Sequence, residues 1–223
     1  MSPAAGGPGA PGSGPRLDKL LRTTWSRLLE GGACEGRAKS LAQVMLVVAG
    51  VKPAAMSLRQ GRSWTGIPSR TLSAALIDQG YVAGKVRVGR EWVQVVAANE
   101  SVYDELFDAL GDWLSERDVM GVRGEGAARV GRLMGYPEEA VAAFVAHTEE
   151  RPTMGDEEGP PRGASPELLV WWDAVRCFRM PNDFAAYLRC SEWCETAIDT
   201  LLGRFPGLRV PESTWQELPA RPS

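Results

Sequence analysis

The chain has 223 residues, a formal net charge of −3, and a composition that is 44% hydrophobic and 24% charged. These are ordinary values for a globular protein long enough to bury a core without disulfide bonds. Its longest apolar run, 41–51, is about half of the roughly 20 residues that a membrane span needs and contains Gln43. We therefore exclude a membrane span and a disulfide framework, and expect a cytoplasmic protein with reduced cysteines.

The first third of the chain combines a polar tail with helical periodicity. Residues 1–15 consist almost wholly of Gly, Pro, Ala and Ser, which predicts a disordered tail. Apolar residues at helical spacing then predict helices over 16–30, 36–49 and about 69–79, with a short helix near 53–60. Ser69 or Thr71 would cap the third of these helices, and Gly80 would end it.

The clearest β signal comes next in the chain. Residues 85–88 and 91–96 alternate in polarity around Gly89-Arg90, a two-residue turn with glycine first, which favours a hairpin over about 82–97. Helical periodicity then returns and predicts helices over 101–116, 127–134, 137–147, 165–178 and 191–204. We predict an α+β fold, predominantly α-helical, with one β-hairpin.

Charge and linker composition suggest how the chain is organised. We expect one compact domain over 16–204, in which a basic half (16–98) precedes an acidic helical half (99–204). A Pro/Gly-rich acidic stretch near 149–164 is predicted to be a mobile linker, and 205–223 an extended C-terminal segment.

The basic charge is concentrated in one segment. Residues 52–90 contain seven basic residues and one acid, a net charge of +6, whereas 91–159 contain sixteen acids and five arginines, a net charge of −11. Such asymmetry is typical of a protein with an anionic partner for one half. The alternative is that basic residues only coat solvated faces.

The order of elements in the basic segment is that of a winged helix-turn-helix. Helices over 36–49, near 53–60 and over 69–79 would be followed by the hairpin, and 69–81 resembles a recognition helix leading into its wing. In this interpretation Arg70 and Ser73 approach base edges, while Arg87 and Arg90 contact phosphates. The connection 60–69 is, however, longer than a tight helix-turn-helix turn.

A second set of candidate residues lies in the acidic half. Cys190 and Cys194 would straddle a helix start capped by Ser191, where the helix dipole favours a thiolate. His147, the single histidine, could transfer protons. The adjacent Trp171 and Trp172 point about 100° apart on a helix, so we expect one of them to line a cleft.

These residues define a hypothetical catalytic or ligand site. Tyr136 would orient a ligand, His147 would move protons, and Cys194 would be the thiolate with Cys190 as its partner. Trp172 and Trp193 would form an apolar wall, with Glu139 as a further ligand-binding residue. Cys190 and Cys194 could also supply half of a zinc or other metal site, although no second cysteine pair is present at ligand spacing. Buried thiols that act as small apolar side chains are the alternative.

The stretch 130–144, with Gly135-Tyr136-Pro137-Glu138, and the later pair Cys190 and Cys194 resemble a prokaryotic domain family of unknown function. That family carries a Gly-Tyr-Pro-Glu-Cys-Cys motif and a later cysteine pair, and the resemblance covers about a third of this chain. Glu139 and Ala140 stand where the family has adjacent cysteines. If those thiols form a metal or redox site in the family, the resemblance implies that this chain has lost it or uses Glu139 instead.

Besides a purely structural interaction protein, two functions remain open from the sequence. The first is a protein that binds a small molecule or a protein partner, and that could be an enzyme, with its pocket in the C-terminal helical half. The second is a winged-helix-like regulator that binds nucleic acid through residues 37–97. A homo-oligomer is compatible with both, and neither needs a membrane.

Overall fold

A computed structural model describes residues 14–30, 35–58, 69–88, 91–120, 124–146, 175, 181 and 183–208. The helices assigned in these residues are α1 (Pro15–Glu30), α2 (Glu35–Val48), α3 (Arg70–Ile77), α4 (Glu100–Met120), α5 (Glu125–Leu133), α6 (Glu138–Ala146) and α7 (Phe184–Arg204). The strands are β1 (Ala54–Leu58), β2 (Val82–Val88) and β3 (Glu91–Ala97). The predicted fold class, predominantly α-helical with a small β part, is confirmed.

The three strands form one antiparallel sheet in the order β1-β3-β2. β2 and β3 pair from Val82↔Ala97 to Val88↔Glu91, so the predicted hairpin is confirmed. The short helix predicted near 53–60 is wrong, because its residues 54–58 form β1 and pair with the outer edge of β3. The alternation of β1 sends Ala54 and Ala55 to opposite faces of the sheet, where both are buried. This tertiary pairing overrides the high helix propensity of alanine.

The sheet separates two groups of buried side chains. One face contributes Ala55 and Val96 to a large apolar cluster with α1, α2, α3 and α7. The other face contributes Val86, Val93 and Val95 to a smaller cluster with α4 and α5. Because alternate residues of a strand point to opposite faces, a strand covered on both faces is apolar at nearly every position, as β3 is over 93–97.

Helix α2 lies at the centre of the larger cluster. Every residue from Leu41 to Val48 is buried, because α2 packs against α1, β1 and α7. A helix surrounded on all sides is apolar all round instead of amphipathic. The apolar run at 41–51 is thus a core helix, with the polar Gln43 buried inside it.

Capping residues set the helix boundaries. Ser69 caps α3 as predicted, since its Oγ accepts a hydrogen bond from the Leu72 backbone N–H at 3.3 Å. The predicted start of the last helix at Ser191 is wrong, because the carboxylate of Asp183 accepts from the Ala186 backbone N–H and α7 begins at Phe184. Ser191 lies inside α7 and donates its hydroxyl to the Tyr187 carbonyl at 3.0 Å.

Several predicted segments lie wholly or mostly outside the described residues. These are the N-terminal tail up to residue 13, the linker near 149–164, the helix over 165–178 except for Val175, and the C-terminal segment beyond residue 208. Within the described ranges, no helix is both long and apolar enough to cross a membrane.

Candidate nucleic-acid interface

Within the described ranges, helices cover one end of one face of the sheet. Ala55, Ala83 and Val96 pack into the larger apolar cluster at one end of this face. Further along the hairpin, the same face carries Lys85, Arg87 and Trp92, because the register pairs Arg87 with Trp92 and Lys85 with Gln94. All three side chains are exposed, Trp92 by 39%. Two cations and an indole therefore share the exposed end of this hairpin face.

Helix α3 packs against β2 of this hairpin. It buries Leu72 and Leu76 in the larger cluster and exposes Arg70, Thr71, Ala74 and Ile77. A tight turn joins α3 to β2, in which Gly80 has a φ of 86° and the Tyr81 N–H donates to the Leu76 carbonyl at 3.1 Å. Because the connection is short and hydrogen-bonded, the hairpin is held in a defined position relative to α3. We use the term hairpin surface for Arg70, Lys85, Arg87 and Trp92.

The four residues predicted to contact nucleic acid differ in their exposure. Arg70 and Arg87 are exposed, Ser73 is half-buried on α3, and Arg90 lies outside the described residues. Lys52, which the sequence analysis counted in the basic segment, is 1% exposed and contributes no surface charge.

The described arginines of α5 are engaged with neighbouring acids. Arg132 contacts Glu125 at 2.7 Å and Glu138 at 2.8 Å, and Arg129 contacts Asp112 at 2.5 Å. The charge of each guanidinium is therefore compensated locally.

Lys52 lies in a buried polar cluster between α2 and the α5–α6 connection. Its Nζ is 2.5 Å from Gln43 Oε1 and 3.9 Å from the centroid of the Tyr136 ring, over which it makes a cation–π contact. Gln43 Nε2 in turn donates to the Val175 carbonyl at 3.1 Å. The Lys52 cluster thus connects α2 with the α5–α6 connection and with the backbone at residue 175.

The α5–α6 connection holds Tyr136 in this cluster. Gly135 ends α5 with a φ of 74°, and a Cβ at that position would lie 2.7 Å from Pro53 Cδ. Both the backbone conformation and the close approach require glycine. The Tyr136 ring also meets Trp193 of α7 edge to face, with ring centroids 6.2 Å apart.

The predicted ligand site of the acidic half is only partly assembled. Tyr136 and Trp193 are in contact, and Glu139 lies nearby on α6, where its carboxylate pairs with Arg189 of α7 at 2.5 Å. A hydrogen bond to its own backbone N–H and the Arg189 guanidinium lower the pKa of Glu139 from its ordinary value. His147 and Trp172 lie outside the described residues, so a pocket that includes them stays a prediction.

The two cysteines of that site lie in the interior. Cys190 and Cys194 are both 0% exposed and pack among the apolar side chains of the larger cluster. Because α7 begins at Phe184, Cys194 is far from the first turn, where the helix dipole would favour a thiolate. Among the described residues, no three His, Cys, Asp or Glu side chains converge as metal ligands would.

Three features were not predicted from the sequence: the pairing of Lys52 with Gln43, the burial of both, and the exposure of Trp92 on the hairpin. A signal existed for each. Gln43 interrupts an otherwise apolar run, and Lys52 follows that run directly. Trp92 is two residues from the polar Gln94, so both lie on the same face of their strand. A polar residue in a core helix requires a partner, but periodicity does not identify which one.

Comparison with known proteins gave no match among family models, curated proteins or solved structures. The resemblance of 130–144 and the later cysteine pair to a prokaryotic domain family therefore stays a prediction.

Proposed function

We propose that this protein binds nucleic acid through the hairpin surface. The observation that carries the proposal is the strand order β1-β3-β2, with α3 leading directly into β2. A helix, a strand, a second helix and a hairpin that closes on the first strand resemble part of the arrangement of winged-helix domains. Those domains have a further helix before the recognition helix, and the segment 59–68 between β1 and α3 lies outside the described residues. In such domains the helix before the hairpin and the hairpin itself face the nucleic acid.

The positions of the exposed cations also favour the hairpin surface as the binding surface. Arg70 begins α3, and Lys85 and Arg87 follow on the adjoining hairpin, all exposed. The protein as a whole carries a charge of −3, so long-range attraction to a polyanion cannot come from its net charge. Binding must come from local contacts, in which each cation that meets a phosphate releases condensed counterions.

The experiment that tests this proposal measures binding of fluorescently labelled DNA of mixed sequence, about 24 nucleotides long, as a single strand and as a duplex, by anisotropy over a series of salt concentrations. We expect binding that weakens steeply with salt. The double variant Arg70→Glu/Arg87→Glu should lose it, and its milder form Arg70→Gln/Arg87→Gln should reduce the slope of log K against log salt by about 2.

A matched control separates the effect of local contacts on affinity from the effect of net charge. Lys19→Glu/Arg27→Glu makes the same change in net charge at two exposed positions on α1. This variant should retain most of the wild-type affinity. Equal losses in the two charge-reversal variants, or no binding of either DNA form at low salt, would refute the proposal.

A further inference from the structure

The exposed part of the hairpin face has an aromatic residue between its cations. Trp92 lies directly across the ladder from Arg87, and Lys85 lies two residues from Arg87 on the same face of β2. Opposite residues of an antiparallel pair have Cβ atoms about 5 Å apart, and alternate residues of one strand are about 7 Å apart. An indole that is 39% exposed thus stands within one side-chain length of two cations.

Helix α3 offers little for reading paired bases. Apart from Arg70, its exposed residues are Thr71, Ala74 and Ile77, and the acidic Asp78 follows its last turn. Base edges in the major groove are discriminated most strongly by bidentate contacts of Arg, Lys, Asn or Gln side chains, and Arg70 is the one residue of these types among the exposed residues of α3. Ile77 is 55% exposed and contributes only apolar surface. The chemistry of this surface fits the faces of bases better than their paired edges.

We propose that the hairpin surface binds unpaired bases of a single-stranded nucleic acid, with Trp92 stacking on one base. Arg87 contacts the phosphate of that nucleotide, and Lys85 contacts the next phosphate along the strand. An aromatic ring accepts any base because every base has a π face, and cations beside the ring follow the backbone. This inference rests on the proposed function and specifies the form of nucleic acid.

The test compares a labelled oligothymidylate of about 24 nucleotides, which has little structure of its own, with a mixed-sequence duplex of equal length at the same salt concentration. We expect the single strand to bind at least 10-fold more tightly. Trp92→Ala should lower the single-strand affinity about 10-fold to 100-fold and leave the duplex affinity nearly unchanged. Trp92→Phe keeps a ring and should retain most of the affinity.

Trp92→Ala could lose affinity because the hairpin itself is disrupted. A second measurement therefore compares the wild type with Trp92→Phe. Stacking on a base quenches indole fluorescence, so oligothymidylate should quench the wild type more than the folded variant Trp92→Phe, which lacks only this one indole. Equal quenching in the two proteins contradicts the inference. Duplex binding as tight as single-strand binding also overturns it, while leaving the proposed function intact. Absence of binding to either form overturns both.

Discussion

The packing of α4 against α5 leads to a sharp prediction about Gly126. A Cβ at this position would lie 2.5 Å from the Trp113 backbone nitrogen and 2.8 Å from Trp113 Cα. Ordinary van der Waals contacts of a Cβ begin near 3.4 Å. The neighbouring atoms belong to the backbone of α4, so no side-chain rotation can relieve the overlap. The substitution Gly126→Ala therefore forces α5 to move away from α4 by about 1 Å.

The loss of stability caused by that movement depends on the apolar side chains that α4 and α5 bury between them. Ala127 and Val130 of α5 pack with Trp113 in the cluster beneath the hairpin sheet, and the shift opens this cluster. Overpacking of a filled core typically costs about 1–3 kcal/mol, and we expect the upper part of that range because backbone atoms must yield. Gly126 lies in the first turn of α5, where the higher helix propensity of alanine offsets little. We expect a net loss of about 2–3 kcal/mol.

Urea unfolding followed by far-UV circular dichroism measures this loss as a lower midpoint at unchanged slope. Gly111→Ala is the matched control, because Gly111 lies within α4 and a Cβ there would meet no heavy atom within 4 Å. The free energy of unfolding of that variant should rise by about 0.5–1 kcal/mol, because alanine has a higher helix propensity than glycine. If Gly126→Ala is as stable as the wild type, the α4–α5 packing described above is incorrect.

Three further predictions concern the other contacts. Tyr136→Leu removes the ring against the Lys52 ammonium and should cost about 2 kcal/mol in urea unfolding, whereas Tyr136→Phe should cost less than half as much. Ser69→Ala removes the cap of α3 and should cost about 1 kcal/mol, with Ser69→Asp as a variant that retains stability. Because the pKa of Glu139 is lowered, its charged form stabilises the fold at neutral pH, and this contribution is lost as pH falls below the ordinary glutamate value of 4.5. Glu139→Gln should therefore be less stable than wild type at pH 7, and the difference should narrow in unfolding curves measured toward pH 3.

Local patterns were sufficient for the hairpin and for α3. Alternating polarity on both sides of a glycine-first turn predicts β2 and β3, and a serine cap with a terminal glycine predicts α3. Each of these signals lies within about ten residues, so the chain itself carries the information. Two of the predicted nucleic-acid residues, Arg70 and Arg87, are exposed for the same reason, since strand parity and helical phase predict which side chains leave the core.

Other features depended on residues distant in the chain. β1 is a strand because β3 supplies its hydrogen-bonding partner about forty residues later, a pairing that no local pattern contains. The same pairing produces the strand order on which the proposed function depends. The start of α7 was missed because Asp183 caps it, while the sequence analysis assigned the cap to Ser191.

Lys52 illustrates the limit of sequence reasoning most clearly. Its charge, and its place in a basic segment, predict an exposed residue that contributes to an anion-binding surface. In the structure it is buried, because Gln43 and Tyr136 provide an amide oxygen and an aromatic face at positions 9 and 84 residues away. Periodicity and capping identified most of the described helices and the hairpin, since both signals are properties of short segments. Which side chains meet in the interior depends on the packing of the whole chain, since burial of a polar group is stable only where a distant partner compensates for lost hydration.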